Sequence, residues 1–235
     1  ILQQAVDASL VRFPTYKTAI RKGLFWRYLE PNKRPGPFVR EDIRNFCMPM
    51  PFKAGNRYLI RIYYYNCRIS LEAHHSLGDG SGGMYVLQTI TAEYLRLLGH
   101  QIDCGYFVKD IHETPPAEEF EDAYMRYANS KLCPKRTKEP FYTFHVIDGI
   151  MSVSEVMKVA KSYQASLTEY LNAVLLYALL QKQKDDHPLH LKPVKIAMPV
   201  NLRRFFPSKT LRNFITMIYP GVDPRLGEYS FDEIV

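Results

Sequence analysis

His74-His75-Ser76-Leu77-Gly78-Asp79-Gly80 is the stretch that decides how this chain is read, because it sets two imidazoles beside a carboxylate and glycine within seven residues. Upstream, Arg57 to Tyr65 (RYLIRIYYY) is rich in aromatic and β-branched residues, as strands are. Asn66-Cys67 supplies a short turn, and Arg68 to His74 then places Ile69, Leu71 and Ala73 on one face. That pattern predicts a hairpin whose second strand delivers the histidines. Downstream, Met84, Leu87, Thr91, Tyr94, Leu95 and Leu98 recur at three- and four-residue steps, which predicts a helix over Ser81 to Leu98 ending at Gly99. The stretch is therefore a strand-to-helix corner, with Gly80, Gly82 and Gly83 around the first helical turn.

An imidazole, with an ordinary pKa of about 6.5, is the side chain best suited to taking a proton near neutral pH. Neighbouring side chains of a strand point to opposite faces, so His74 and His75 are expected to do different jobs, one facing a cleft and the other the body of the protein. Asp79 reads as an orienting group and not a second base. Glycine beside a base leaves room for a substrate and permits unusual backbone angles.

The arrangement His-His-x-x-x-Asp-Gly resembles the signature of the acyltransferase superfamily that includes chloramphenicol acetyltransferase, peptide-synthetase condensation domains, wax ester synthases and alcohol acetyltransferases. A second segment, Pro199-Val200-Asn201-Leu202-Arg203-Arg204 followed by Leu211-Arg212-Asn213-Phe214, is similar to that superfamily's arginine and Gly-Asn segment, with arginine where glycine often precedes the asparagine. The resemblance implies that His75 is the general base that deprotonates an acceptor hydroxyl, amine or thiol as it attacks an acyl thioester. It implies that Asp79 turns away from the substrate to pair with Arg203, or else Arg204, and that Gly80 gives the backbone room. His74 stands beside them in the catalytic set. The implied co-substrate is acetyl-CoA or another acyl-CoA, with Asn213, Lys209 and Arg212 as candidate cofactor-binding residues. No covalent enzyme intermediate is required, and no oxyanion stabiliser can be located in the sequence.

Other chemistries fit less well. Zinc needs three or four convergent ligands, and neither His74 and His75 nor His100, His112, His145, His187 and His190 show spacing that completes a shell. Cys47, Cys67, Cys104 and Cys133 contain no C-x-x-C and read as free thiols of a reducing compartment. The net charge of +7 comes from basic residues interleaved with acids and carries no nucleic-acid reader motif. With 46% hydrophobic and 23% charged residues in 235 positions, the chain can bury a sizeable core. No stretch approaches the roughly 20 apolar residues of a membrane span. The expectation is a soluble cytoplasmic protein whose oligomeric state is open.

The rest alternates α and β pieces. The pattern predicts a helix over Ile1 to Phe13 stopped by Pro14, a strand over Leu24 to Leu29 and a turn-rich link from Pro31 to Pro37. A short polar helix is predicted over Glu118 to Ala128, and Ser152 and Ser166 open capped helices near 154–163 and 168–183. Val194 to Val200 reads as a buried strand, Pro134 to Gly149 as a linker with a hairpin turn at Asp148-Gly149, and Phe231 as the start of another helix. The expected fold is α/β (α+β), a chloramphenicol acetyltransferase-like lobe with a mixed sheet flanked by helices. Residues 1–150 would form this first lobe and 151–235 the truncated start of a second, since relatives are built as two similar lobes around a tunnel. Within the superfamily the alcohol acetyltransferase-like branch fits best. The alternatives are a non-catalytic acyl-binding or interaction module and a condensation-type enzyme acting on carrier-bound thioesters.

Overall fold

In the computed structural model, residues 1–42, 50, 55–123, 149–186 and 191–235 are described. The chain divides into two units, 1–144 with 202–215, and 145–201 with 216–235. In the first unit, α1 (Leu2–Ser9) buries Val6 and leads into a turn that buries Leu10 and Phe13, so the helix stops short of the expected Phe13. Pro14 then opens a single 3-10 turn, Pro14–Lys17, where its missing N–H costs nothing.

The strands β1 (Thr18–Lys22) and β2 (Arg27–Pro31) form an antiparallel hairpin, with Thr18 opposite Pro31 and Lys22 opposite Arg27. The strand expected over Leu24 to Leu29 is corrected by this register. Gly23 N–H donates to the Trp26 carbonyl at 2.8 Å, closing a turn that makes Leu24, Phe25 and Trp26 the exposed tip. Next, β3 (Val39–Glu41) runs parallel to β4 (Ile60–Tyr65), and β4 runs antiparallel to β5 (Arg68–Ala73), giving a mixed three-stranded sheet. The turn between β4 and β5 uses Asn66 at φ 48°, a left-handed angle that asparagine tolerates better than most residues.

Helix α2 (Gly80–Leu97) follows the corner and ends before Gly99, whose φ of 94° suits glycine. It buries Gly82, Val86, Thr89, Ile90 and Glu93 along one stripe. Val86 and Ile90 join Val6, Leu10, Phe13, Leu59, Ile62, Leu77 and Leu211 in one core cluster. Of the aromatic strand, Tyr63 is buried but Tyr64 and Tyr65 are exposed, because alternation turns every second side chain outward and the strand end leaves the core. Arg12, 1% exposed, crosses this unit to Glu119, which also accepts from Lys109.

The second unit contains α3 (Val153–Ser162), α4 (Leu167–Asp186) and α5 (Phe231–Ile234), with Ser152 capping α3 and Ser230 forming a reciprocal capping box with Glu233. Phe231 meets Tyr163, Tyr170 and Tyr177 edge-on at centroid distances of 5.2 to 5.9 Å. Val194 to Val200 is not one buried strand. It is β6 (Val194–Lys195) and β7 (Met198–Asn201), which pair separately with β9 (Gly221–Val222) and β8 (Ile215–Ile218) and hold no fully buried residue.

The polar helix expected over Glu118 to Ala128 is, in its described part, one 3-10 turn, Ala117–Glu119. The rest of it, most of the linker and turn expected over Pro134 to Gly149, Cys47, Cys133, His145, His187 and His190 lie outside the described residues. Cys67 and Cys104 are free and exposed. Among the described residues no helix is long and apolar enough to cross a membrane, and no group of three or more histidine, cysteine or carboxylate side chains could hold a metal.

Candidate active site

The corner is built by Asp79. Its backbone is extended and its side chain caps α2, Oδ1 accepting from Gly82 N–H at 3.0 Å, where an anion also meets the positive end of the helix. The other oxygen, Oδ2, accepts from Arg203 Nη1 at 2.7 Å and from Phe214 N–H at 3.0 Å. Both carboxylate oxygens are thus committed away from the histidines, and the Asp79 side chain is only 2% exposed. Arg203 also donates to backbone, from Nε to the Thr210 carbonyl at 2.9 Å and from Nη2 to the Arg212 carbonyl at 2.6 Å. One guanidinium therefore shapes the whole 203–214 segment and carries it onto the start of α2.

Two glycines make that approach possible. A Cβ on Gly82 would lie 2.1 Å from the Leu211 carbonyl oxygen, and one on Gly78 would lie 2.5 Å from the same atom. At these positions the room expected for substrate is filled by the protein's own backbone and by the Tyr16 hydroxyl. Gly80 and Gly83 face open space. Among the described residues the Tyr16 hydroxyl has no hydrogen-bond partner, and burial, reinforced by the Asp79 charge and opposed by Arg203, pushes its pKa up.

Strand β5 ends at Ala73, so the histidines fall in the connection and not in the strand itself. His74 is half-buried and accepts at Nδ1 from Ser76 N–H at 3.3 Å, with Ser76 Oγ at 2.8 Å. A neutral His74 therefore carries its proton on Nε2. His75 is exposed, and its partner is Asn213. Asn213 Nδ2 donates to the His75 carbonyl at 2.7 Å, and a carbonyl can only accept, so the amide oxygen must be the atom turned toward the ring. That Oδ1 stands 3.1 Å from His75 Nδ1. A neutral His75 is held with its proton on Nδ1 and its lone pair on Nε2. The two histidines thus hold opposite tautomers, fixed by separate hydrogen-bond networks.

Asn213, expected among cofactor-binding residues, spends both ends of its amide on His75. Lys209 pairs with Glu118 at 3.1 Å on the surface. Arg212 lines a cavity of about 580 Å³ together with Thr18, Ile20, Leu29, Ser76 and Phe120; neither His75 nor Asn213 lines it. Sequence reasoning did not find the Asn213–His75 bridge, Tyr16, or the role of Gly78 and Gly82 in admitting Leu211. The only signal for them was the density of glycines around the aspartate.

The chain has the fold of a chloramphenicol acetyltransferase-like lobe. It is similar to polyketide synthase associated protein 5 from Mycobacterium tuberculosis, with a TM-score of 0.61 and 15% identity over 99% of this chain and 62% of that one. The SgcC5 protein from Streptomyces globisporus gives a TM-score of 0.56 at 15% identity, covering 99% and 60%. TRI101 from F. sporotrichioides, solved with coenzyme A and T-2, gives 0.52 at 10% identity, covering 99% and 61%. The chain therefore spans about three-fifths of the length of these structures. No protein-family model and no curated protein matches its sequence.

Proposed function

We propose that this chain carries the base of an acyltransferase, moving an acyl group from a thioester to an alcohol or amine. The observation that carries the reading is the Asn213 amide bridging the ring and carbonyl of the exposed His75, which leaves Nε2 as a free base. His75 Nε2 takes the acceptor's proton as its oxygen or nitrogen attacks the thioester carbonyl. The tetrahedral intermediate collapses by breaking the carbon–sulfur bond, and the imidazolium returns a proton to the departing thiolate. The developing positive charge is met at Nδ1–H by the Asn213 oxygen. Positioned proton transfer of this kind is worth about 10²–10⁴-fold.

Asp79 and Arg203 act one step back, holding the corner and the 203–214 segment so that His75 and Asn213 meet. His74 is a structural neighbour whose ring is turned to Ser76. Acyl-CoA is the donor this reading favours, since one of the similar structures holds coenzyme A, with Arg212 and Lys209 as the cations assigned to its phosphates. The Lys209–Glu118 pair is exposed and holds the lysine only weakly.

Thiol release from acetyl-CoA with a panel of alcohols and amines tests the reading, comparing the full-length protein with His75→Ala and His74→Ala. Turnover that falls about 10²–10⁴-fold in His75→Ala but not in His74→Ala is the expected result. Release only from an acyl-carrier protein would move the donor to carrier-bound thioesters. Background release from both donors in a folded protein would overturn the catalytic reading.

A further inference from the structure

The loop that follows β2 and the loop that leads into β4 border a basic concavity that the proposed chemistry does not use. Its volume is about 280 Å³, and Arg21, Lys33, Arg34 and Arg57 line it. One carboxylate, Glu30, faces the same space, and Arg21 already engages it at 2.5 Å. Among the described residues, the side chains of Lys33, Arg34 and Arg57 make no hydrogen bond or ion pair, and the Nε of Arg57 is buried without a partner. Buried N–H groups are almost always bonded, and one left open on a charged side chain is costly.

The backbone holds these cations in place. Asn56 and Arg57 stand at φ 56° and 66°, both left-handed; asparagine tolerates that region, and arginine seldom adopts it. Strain of this kind persists where surrounding contacts impose it. Here Asn32 Nδ2 donates to the Asn56 carbonyl at 2.8 Å, Asn56 Nδ2 to the Pro35 carbonyl at 3.4 Å and the Tyr58 hydroxyl to the Arg34 carbonyl at 3.1 Å. Within the first loop, Arg34 N–H donates to Asn32 Oδ1 at 3.2 Å. Asn32 is buried, so the stitches that join the two loops are anchored from inside.

The lining indicates what the concavity takes. Cations gathered around one space repel one another, and an anion between them removes the repulsion. No aromatic ring lines it, so it offers a nucleobase nothing to stack on. It falls just under the roughly 300–1,000 Å³ of sites that enclose a drug-sized ligand, which suits a charged head alone. Guanidinium groups present forked donors that match the oxygens of a phosphate. We propose that this concavity binds the phosphoryl end of a small phosphorylated molecule, with Arg57 and Arg34 donating to its oxygens and Lys33 adding charge. The proposal does not depend on the acyl-transfer reading, since no residue of the histidine corner lines the space.

Calorimetric titration of the full-length protein with sodium pyrophosphate and with sodium phosphate, at constant ionic strength, tests it. The expected result is one pyrophosphate per chain, bound more tightly than phosphate and raising the unfolding temperature. Arg57→Gln and Arg34→Gln each weaken binding at least about tenfold, the loss of a charge-assisted hydrogen bond. Lys22→Gln removes the same charge from β1 outside the concavity and changes affinity less than about twofold, because salt screens a solvated charge. Without pyrophosphate, Arg57→Gln unfolds at no lower temperature than the unaltered protein, so lost binding is not lost folding; Arg34, being exposed, gives a second variant whose fold is not at stake. Coenzyme A as competitor separates two sources of the phosphate: displacement of pyrophosphate assigns it to the acyl donor, and no displacement to another phosphorylated molecule, and both support the site. Three results overturn the proposal. They are the absence of saturable binding of either anion, binding that survives both arginine substitutions, and an equal loss in Lys22→Gln, which would leave diffuse surface charge as the whole attraction.

Discussion

Replacing Arg203 with methionine tests the architecture of the site more sharply than any change at the histidines. The substitution keeps most of the side chain's volume and its contact with the Phe214 ring, but it removes the cation from a carboxylate whose side chain is 2% exposed. Arg203 is itself only 14% exposed, so solvent screens the pair little. Removing one partner of such a pair costs about 3–5 kcal/mol, because the remaining charge is left buried. The Thr210 and Arg212 carbonyls lose their donors as well. Against a typical total of about 5–15 kcal/mol, the loss is large enough to bring the urea midpoint down sharply at unchanged slope. Pairing Arg203→Met with Asp79→Asn distinguishes a coupled pair from two independent sites. The double variant should be no less stable than Arg203→Met alone, as the charge that was stranded is gone. Costs that simply add, or an Arg203→Met cost under about 1 kcal/mol, would refute the claim that one ion pair holds the corner and the 203–214 segment together.

Gly82→Ala is expected to cost about 1–3 kcal/mol by thermal unfolding, since its Cβ meets a backbone oxygen that cannot rotate away, while Gly80→Ala, which meets nothing, should be neutral or stabilise by up to about 1 kcal/mol. An inverted order would contradict the packing described. Tyr16→Phe removes a buried hydroxyl without a partner among the described residues and should raise the unfolding temperature, by about 1 kcal/mol of stability; a loss would mean that the hydroxyl is bonded. Burial raises the Glu119 pKa, but hydrogen bonds from Arg12 and Lys109 outweigh it and hold the carboxyl below its ordinary value. Its contribution to stability is therefore complete above the unfolded-state pKa of about 4.3 and lost as pH falls through the lower folded value. Glu119→Gln should be less stable at neutral pH and flatten the acid limb of an unfolding-temperature profile, and an unchanged limb would remove Glu119 from that role.

The corner was legible because the hydrophobic period changes there from two to three and four, and because aspartate and glycine mark a helix start. The capped starts at Ser152 and Ser166 were legible for the same local reason. The hairpin tip was not: Leu24, Phe25 and Trp26 have strand composition, and only the pairing of Lys22 with Arg27 shows that they lie beyond the last rung. Likewise, Arg12 and Glu119 are 107 positions apart and carry no periodic signal that they meet. The Asn213–His75 bridge spans 138 positions, and arginine stands just before the asparagine where the resembled pattern often has glycine, so residue types alone could not assign its role.

The 124 positions between Asp79 and Arg203 also bear on how the chain acquires its shape. Closing a loop of that length costs about 4 kcal/mol of chain entropy before any contact returns it. The helices α3 and α4 lie inside that loop, in a unit of their own. During synthesis, Asp79 emerges long before the cation and the Phe214 amide that complete its shell. A nascent chain cut short of residue 203 holds every residue of the histidine corner and none of the segment that fixes it. The order of translation thus separates making the histidine corner from setting it in place.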